Sequence, residues 1–328
     1  MTVRFRGVTQ RRGLLLHGPA GWGEFAAFEE YPDTEAVRWL AAAVEAACDG
    51  WPAPLRTSIA INAIVPAVEP VKAGPLALIG GCHTVKVKVA AAGIASLPSD
   101  IARVRAVRRA VGPTTRIRVD ANGAWSAEQA RTAIEQLAGA AGGTVSEGGA
   151  LEYVEQPCPE LDDLRRLRRM LAVLGPQVPV AADDVLRRSD DPAAVAAQLA
   201  ECADVVILKV APLGGVRAAL RLAAATGLPT VVSSALDTSI GLTAGLALAG
   251  VLPGLEYACG LGTGSLLAAD VVSPSERLIP VDGVLPVFRA APEPLAELQL
   301  LDAAALKEWT QRLQRCAQLL GGGVTTTS

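Results

Sequence analysis

The sequence predicts a closed parallel α/β barrel with a smaller α+β domain ahead of it. Three observations carry that prediction. Strand-like apolar runs alternate with helix-like amphipathic runs from residue 84 to about residue 258. No GxGxxG or Walker A loop occurs, although an open doubly wound sheet usually sets a Gly-rich phosphate loop after its first strand. Charged and polar residues close six successive strands instead of collecting at one crossover, which is how a barrel distributes its functional groups.

The elements follow in order. Residues 4–8 and 13–17 read as strands of a small sheet, 21–24 and Pro32-Asp33 as turns, and 34–47 as a helix with Val37, Leu40, Ala41 and Val44 on one face. Residues 84–89 (TVKVKV) alternate with period two. A helix opens at Ser99 and stops at Gly112-Pro113. Strand 115–120 precedes a capping-box pattern, Ser126 and Gln129, and a helix through Leu137. Strand 151–155 ends at Gln156-Pro157, and helix 161–174 follows. Strand 178–182, helix 191–200 and strand 204–209 come next; Gly214-Gly215 then leads into another helix. Strand 229–233, an apolar helix over 240–251 and a short run at 255–258 complete the series. A last helix spans 303–320, and 321–328 reads as a disordered tail.

Composition excludes several classes. A net charge of −3 and 4% aromatic residues argue against nucleic-acid binding by a basic face or a stacking platform. The most apolar stretch, 240–252, falls short of the ~20 residues a membrane span needs, so it reads as a buried helix and no membrane partner is expected. The N-terminal residues lack the apolar core of a signal peptide. The six cysteines are scattered without a CxxC pair, as in a reduced, cytoplasmic protein. His17 and His83 lie outside the strand ends and read as structural or surface residues.

The strand ends carry the chemistry. Lys86 and Lys88, Asp120, Glu155, Asp183, Lys209, and Ser233 with Ser234 recur 24 to 35 residues apart, about one βα unit each. Parallel strands therefore bring them to one end of the sheet. Val85, Val87 and Val89 share one strand face and Lys86 and Lys88 the other; Arg118 and Asp120 share a face, as do Ile207 and Lys209. In a barrel the apolar face meets the helices, so the lysines and carboxylates point inward. A single aspartate at a strand end is often only a turn former or a helix cap, and a lysine on an edge strand is often only solvated. Burying three carboxylates and three ammonium groups together is costly without a ligand to organise them. Three carboxylates without a His or Cys ligand make a hard oxygen site suited to Mg²⁺, with Mn²⁺ a substitute. With no histidine at the site, proton transfer falls to lysine, whose pKa is lowered by neighbouring cations.

The motifs KVK at 86–88, RVDAN at 118–122, VEQP at 154–157, ADD at 182–184, ILK at 207–209 and SSALDTSIGL at 233–242 resemble the enolase superfamily, muconate-lactonising subgroup. The likeness is strongest to a dehydratase branch of that subgroup, to which CGLGTGSLLAADV at 259–271 is also similar. It implies a modified (β/α)7β TIM-like barrel over 79–285. A capping domain would span 1–78 and be completed by 286–320. It implies that Asp120, Glu155 and Asp183 hold Mg²⁺, that Lys88 removes an α-proton from a small carboxylate substrate, that Lys86 supports Lys88, and that Lys209 stabilises the enolate from the opposite side. Ser233, Ser234, Ser239, Gly241, Gly260 and Leu261 would line the substrate, Arg118 and Asn122 would back the ligands, and the loops at 7–13 and 18–23 would cover the site. The superfamily usually has Asp-Glu-Ser where this chain reads Asp183-Asp184-Val185, which leaves Asp184 as a possible third ligand.

Related two-lysine enzymes racemise N-acyl amino acids or epimerise dipeptides. The epimerases carry an Asp-x-Asp pair near the end of the barrel, where this chain has Ala258-Cys259-Gly260-Leu261-Gly262 and no acid. Mandelate-type dehydratases use a histidine base, and none is placed here. A barrel without catalytic activity is the remaining alternative. Oligomeric state is not readable from the sequence.

Overall fold

The computed structural model describes residue 2 and residues 8–142, 151–174, 177–293 and 300–321. Seven strands form one parallel sheet in the spatial order Ala63–Val65, Thr84–Lys88, Arg116–Asp120, Leu151–Glu155, Val180–Ala182, Val205–Lys209, Thr230–Ser233. Spatial order follows chain order, so the sheet is wound in one direction. Its edges meet through residues 259 and 260: Ser233 bridges Gly260, and Cys259 bridges Ile61, both in parallel. Gly260 N donates to Val232 O at 2.8 Å and Cys259 N to Ala60 O at 2.7 Å, which gives both edges a partner. The closing segment therefore lies just beyond the 255–258 run read from sequence.

Ala63–Val65 is a strand the sequence reading does not place, and it lies before residue 79, where that reading starts the barrel. It has three residues and no alternation, because all three are buried.

Parity sorts the side chains as expected. Val85, Val87, Ile117 and Val119 pack outward with Val104, Val107, Ile134 and Leu137 of the helical layer. Tyr153, Ala181, Val205, Ile207 and Val231 fill the barrel interior. One strand breaks the alternation. Ile117 pairs with Leu151 but Val119 pairs with Val154, so Leu151–Glu155 carries an extra residue, a β-bulge. Leu151 and Val154 both join the outward layer, while Glu152 and Tyr153 both engage Arg118: Glu152 accepts from Nε, and the Tyr153 ring lies 4.5 Å from the guanidinium carbon.

The N-terminal residues form a hairpin, Leu14–Gly18 with Gly21–Phe25, over the helix Asp33–Val44. The second strand replaces the turn expected at 21–24. Its glycines have a packing reason, since a Cβ at Gly23 would lie 2.0 Å from Ala43 O of that helix. The first strand expected, 4–8, falls almost wholly outside the described residues. The C-terminal helix Ala303–Leu319 packs back on this unit, with Trp309, Leu313 and Cys316 in one cluster with Phe25, Trp39 and Leu40.

The N-terminal unit docks on the barrel through two carboxylates. Glu45 accepts from Val216 N and Arg217 N at the start of the helix Val216–Thr226. Glu24 accepts from Thr238 N and Gly241 N at the start of Ser239–Val251. Each satisfies amide groups that have no partner within the helix and sits at the positive end of its dipole. These helices follow the strands that carry Lys209 and Ser233. No helix among the described residues is long and apolar enough to cross a membrane.

Candidate active site

Lys88, Asp120 and Glu155 stand at neighbouring ladder positions of three adjacent strands. The strand alternation turns all three inward, and Lys86 lies one layer below. Lys86 donates to both Glu155 oxygens at 3.0 Å and lies 3.6 Å from Asp120 Oδ2. Lys88 donates to Asp120 and, at 2.9 Å, to Asn122 Oδ1. Across the barrel, Lys209 donates to Asp183. Asp120 and Glu155 have no exposed surface, and Asp183 is 1% exposed. Lys86, Lys88 and Lys209 line one pocket with Phe28, Ile64, Ser233, Ser234, Ala235, Leu236 and Thr263.

Asp183 and Asp184 have different partners. Asp183 reaches Lys209, whereas Asp184 Oδ1 accepts from Arg187 Nε at 2.9 Å and Nη2 at 2.6 Å. Only Asp183 belongs to the lysine cluster.

Burial and charge set the ionisation. Burial pulls Lys88 below the ordinary lysine value; Lys86 and Lys209 push the same way, and Asp120 opposes them. Burial also works against the charge of Lys86, but Glu155 and Asp120 outweigh it and hold Lys86 above the ordinary value. Burial raises Glu155 to about 7, reinforced by Asp120. For Asp120 and Asp183 burial is overcome, by Lys88 and Lys86 for the first and by Lys209 and Arg187 for the second, and both fall below the usual carboxylate range.

The other expected residues divide. Ser233 and Ser234 line the pocket; both hydroxyls reach Gly260 O, and Ser234 lies 2.6 Å from the Thr263 hydroxyl. Asn122 touches Lys88 directly. Arg118 sits deeper, donating to Glu152, to Asn62 Oδ1 at 3.1 Å and to Ala258 O at 2.7 Å. Ser239 is turned away, with its hydroxyl on Asp270 at 2.7 Å and Leu278 N donating to it. Gly241 faces Glu24, Leu261 packs into the apolar helical layer, and Gly260 acts through its backbone beside Ser233. The 18–23 segment spans the hairpin turn and the start of its second strand, and is tied to Ala47 O through Ala20 N. Among the described N-terminal residues Phe28 reaches the pocket, with the Arg11 guanidinium 4.4 Å from its ring centroid. Arg11 also donates to the carbonyl of Leu236, which lines the same pocket, at 3.1 Å.

Phe28 and Ile64 are not singled out by the sequence, whereas Arg11 and Thr263 fall within segments it does single out, 7–13 and 259–271, without being named. An apolar residue in a loop carries no periodic signal that would distinguish it from core.

Among the described residues, no three acidic, histidine or cysteine side chains form a preassembled metal cluster. The donor set nevertheless fits a hard divalent cation. Three buried carboxylates stand at the ends of three consecutive strands, and Asp183 Oδ1 is a buried oxygen without a hydrogen-bond partner.

Comparison with known proteins accords with this geometry. Residues 74–292 match the family described as "Enolase C-terminal domain-like" and residues 1–47 the family described as "Enolase N-terminal domain-like". The chain is 51% identical over 315 residues to the o-succinylbenzoate synthase of Thermobifida fusca, covering 95% of this chain and 92% of that one. It is 49% identical over 324 residues to the o-succinylbenzoate synthase of Mycobacterium ulcerans, covering 98% and 92%. A muconate lactonizing enzyme from Pseudomonas fluorescens, solved with muconolactone, superposes with a TM-score of 0.60 at 25% identity, covering 78% of this chain and 65% of that one. The chain belongs to the enolase superfamily, in its muconate-lactonising subgroup, and within it to the o-succinylbenzoate synthase family. It is accordingly an enzyme, a carbon–oxygen lyase, and the family relationship points to a divalent-metal cofactor.

Proposed function

We propose that this enzyme catalyses the syn dehydration of 2-succinyl-6-hydroxy-2,4-cyclohexadiene-1-carboxylate to o-succinylbenzoate, a step of menaquinone biosynthesis in the cytoplasm. The observation that carries the reading is the placement of Lys88 and Lys209 in one pocket with a row of inward carboxylates between their strands. Asp120, Glu155 and Asp183 would hold Mg²⁺, which when bound supplies positive charge to the substrate carboxylate. Lys88 in its amine form takes the α-proton, and the electron pair passes into the carboxylate to give an enediolate. Lys88 then returns that proton to the departing hydroxyl as the carbon–oxygen bond breaks, so that water leaves, the ring becomes aromatic and Lys88 is again neutral. Lys209 remains cationic on the opposite face and stabilises the enediolate. Lys86 stays charged and supports the neutral form of Lys88 by like-charge repulsion. Phe28 from the N-terminal unit helps to exclude water.

The two lysines favour one second reading, racemisation of N-succinyl amino acids, since a base on each face serves proton removal and return. Mg²⁺-dependent dehydration measured beside N-succinyl amino acid racemisation tests the assignment. Dehydration is expected to be the faster reaction; faster racemisation would overturn it.

A further inference from the structure

Gln156 follows Glu155 at the end of the strand Leu151–Glu155 and has no exposed surface. Its backbone adopts a φ of +39°, a left-handed conformation that costs a non-glycine residue energy and persists only where the surroundings hold it. The surroundings do so from both sides: Gln156 N donates to Ala181 O at 2.8 Å, and Gly123 N donates to Gln156 O at 2.6 Å. This conformation sends the side chain along the barrel rim toward the next strand end. Its Oε1 accepts the Asp183 backbone N–H at 2.8 Å, and its Nε2 donates to Cys158 O at 2.7 Å.

Asp183 needs such a tether. It lies after the three-residue strand Val180–Ala182 and before a helix of one turn, at φ −127° and ψ −75°, outside both regular regions. Its amide has no ladder partner of its own among the described residues, and the Gln156 amide oxygen replaces one. Rotation of that peptide would carry the Asp183 carboxylate away from Lys209.

We propose that Gln156 is a positioning residue for the metal site: its amide fixes the Asp183 peptide and so aims the Asp183 carboxylate at the position shared with Asp120 and Glu155. The inference rests on the reading of Asp183 as a metal ligand. Groups that orient metal ligands in this way are typically worth ~10–100-fold in metal affinity.

Calorimetric titration of the full-length protein with Mg²⁺ and Mn²⁺ tests it, with melting temperature measured in EDTA. Gln156→Met removes both hydrogen bonds, and a longer one from Val185 N at 3.5 Å, at similar volume. Gln156→Asn keeps the amide but withdraws it from reach, and carries the test if the methionine variant does not fold. Both are expected to bind metal ~10-fold or more weakly than wild type. Gln156→Glu keeps an acceptor for the Asp183 amide and is expected to stay within a few-fold of wild type. Wild-type affinity in folded Gln156→Met or Gln156→Asn overturns the positioning role. So does a loss of affinity matched by an equal loss in Gln156→Glu, because then the acceptor is not what matters. Asp183→Asn separates the two readings. Unchanged metal affinity there overturns the ligand assignment and the inference together. Lost affinity there with unchanged affinity in the Gln156 variants overturns the inference alone.

Discussion

Glu45 accepts the Val216 amide at 2.5 Å, joining the N-terminal unit to the barrel helix that follows the Lys209 strand. It also takes Arg217 N at 3.1 Å and Arg217 Nη1 at 3.1 Å. Gly215, at φ +121°, is required there, because a Cβ would lie 2.4 Å from Glu45 Oε2. Glu45→Ala leaves the helix amides unpaired in a largely buried place. It should lower unfolding free energy by about 1–3 kcal/mol in urea titrations. Glu45→Gln, which still accepts, should lose less. Equal stability of all three proteins would show that this contact does not hold the two units together.

Lys88 is expected to be indispensable, because in the proposed mechanism it acts first as base and then as acid. Lys88→Ala should reduce dehydration by about 10⁴-fold or to an undetectable rate, while far-UV circular dichroism stays native. Lys209→Ala should retain more activity, since Lys209 stabilises charge and moves no proton. Turnover near wild type in the Lys88 variant would remove it from the role of base.

The legible part of this enzyme was the part governed by short-range periodicity. The alternation of residues 84–89 places Lys86 and Lys88 inward and Val85 and Val87 outward, and repetition over several strands gathers the charges at one end. Two features broke that logic. The extra residue in Leu151–Glu155 turns both Glu152 and Tyr153 to Arg118, and a bulge has no signature in the alternation of five residues. Beyond the strand ends, in loops and helix starts, parity no longer applies. Ser239 lies six residues past Ser233 yet serves Asp270 on the helical side, and Leu261 joins the outer apolar layer. Contacts such as Glu45 with Val216, separated by 171 residues, depend on how units dock, which no local pattern encodes.

The pH dependence of stability should carry a contribution from Glu24. Burial raises its pKa from 4.5 to about 7, reinforced by Asp237 and opposed by the Thr238 hydrogen bonds and Arg11. A carboxyl group with a higher pKa when folded binds more protons in the folded state than in the unfolded state across that interval. Its contribution to stability is therefore greatest below pH 4.5, falls as pH rises to about 7, and is level above that. Glu24→Gln cannot titrate. The wild-type melting temperature relative to this variant should decline between those two pH values and then flatten. Parallel melting curves across the range would place Glu24's folded pKa at its ordinary value.

Lys88, the proposed base, is also held from outside the barrel, by a buried ion pair on the next helix. Asp100 accepts Ala90 N at 2.8 Å and pairs with Arg103 Nη1 at 2.6 Å, and the same Nη1 donates to Lys88 O at 3.1 Å. Arg103 Nε donates to Val68 O at 2.6 Å, so the pair fixes the turn through Ala90, whose φ is +60°. Arg103→Met leaves Asp100 charged and unpaired, and should cost about 3–5 kcal/mol of stability. Stability loss alone does not separate a catalytic consequence from a structural one, so the double variant Asp100→Asn with Arg103→Met is the informative protein. It buries no lone charge and should recover most of the stability. Its Lys88 carbonyl still lacks the guanidinium donor, so kcat should remain about 10- to 100-fold down with KM little changed. Recovery of kcat together with stability would mean that the pair supports the fold and has no part in aiming Lys88.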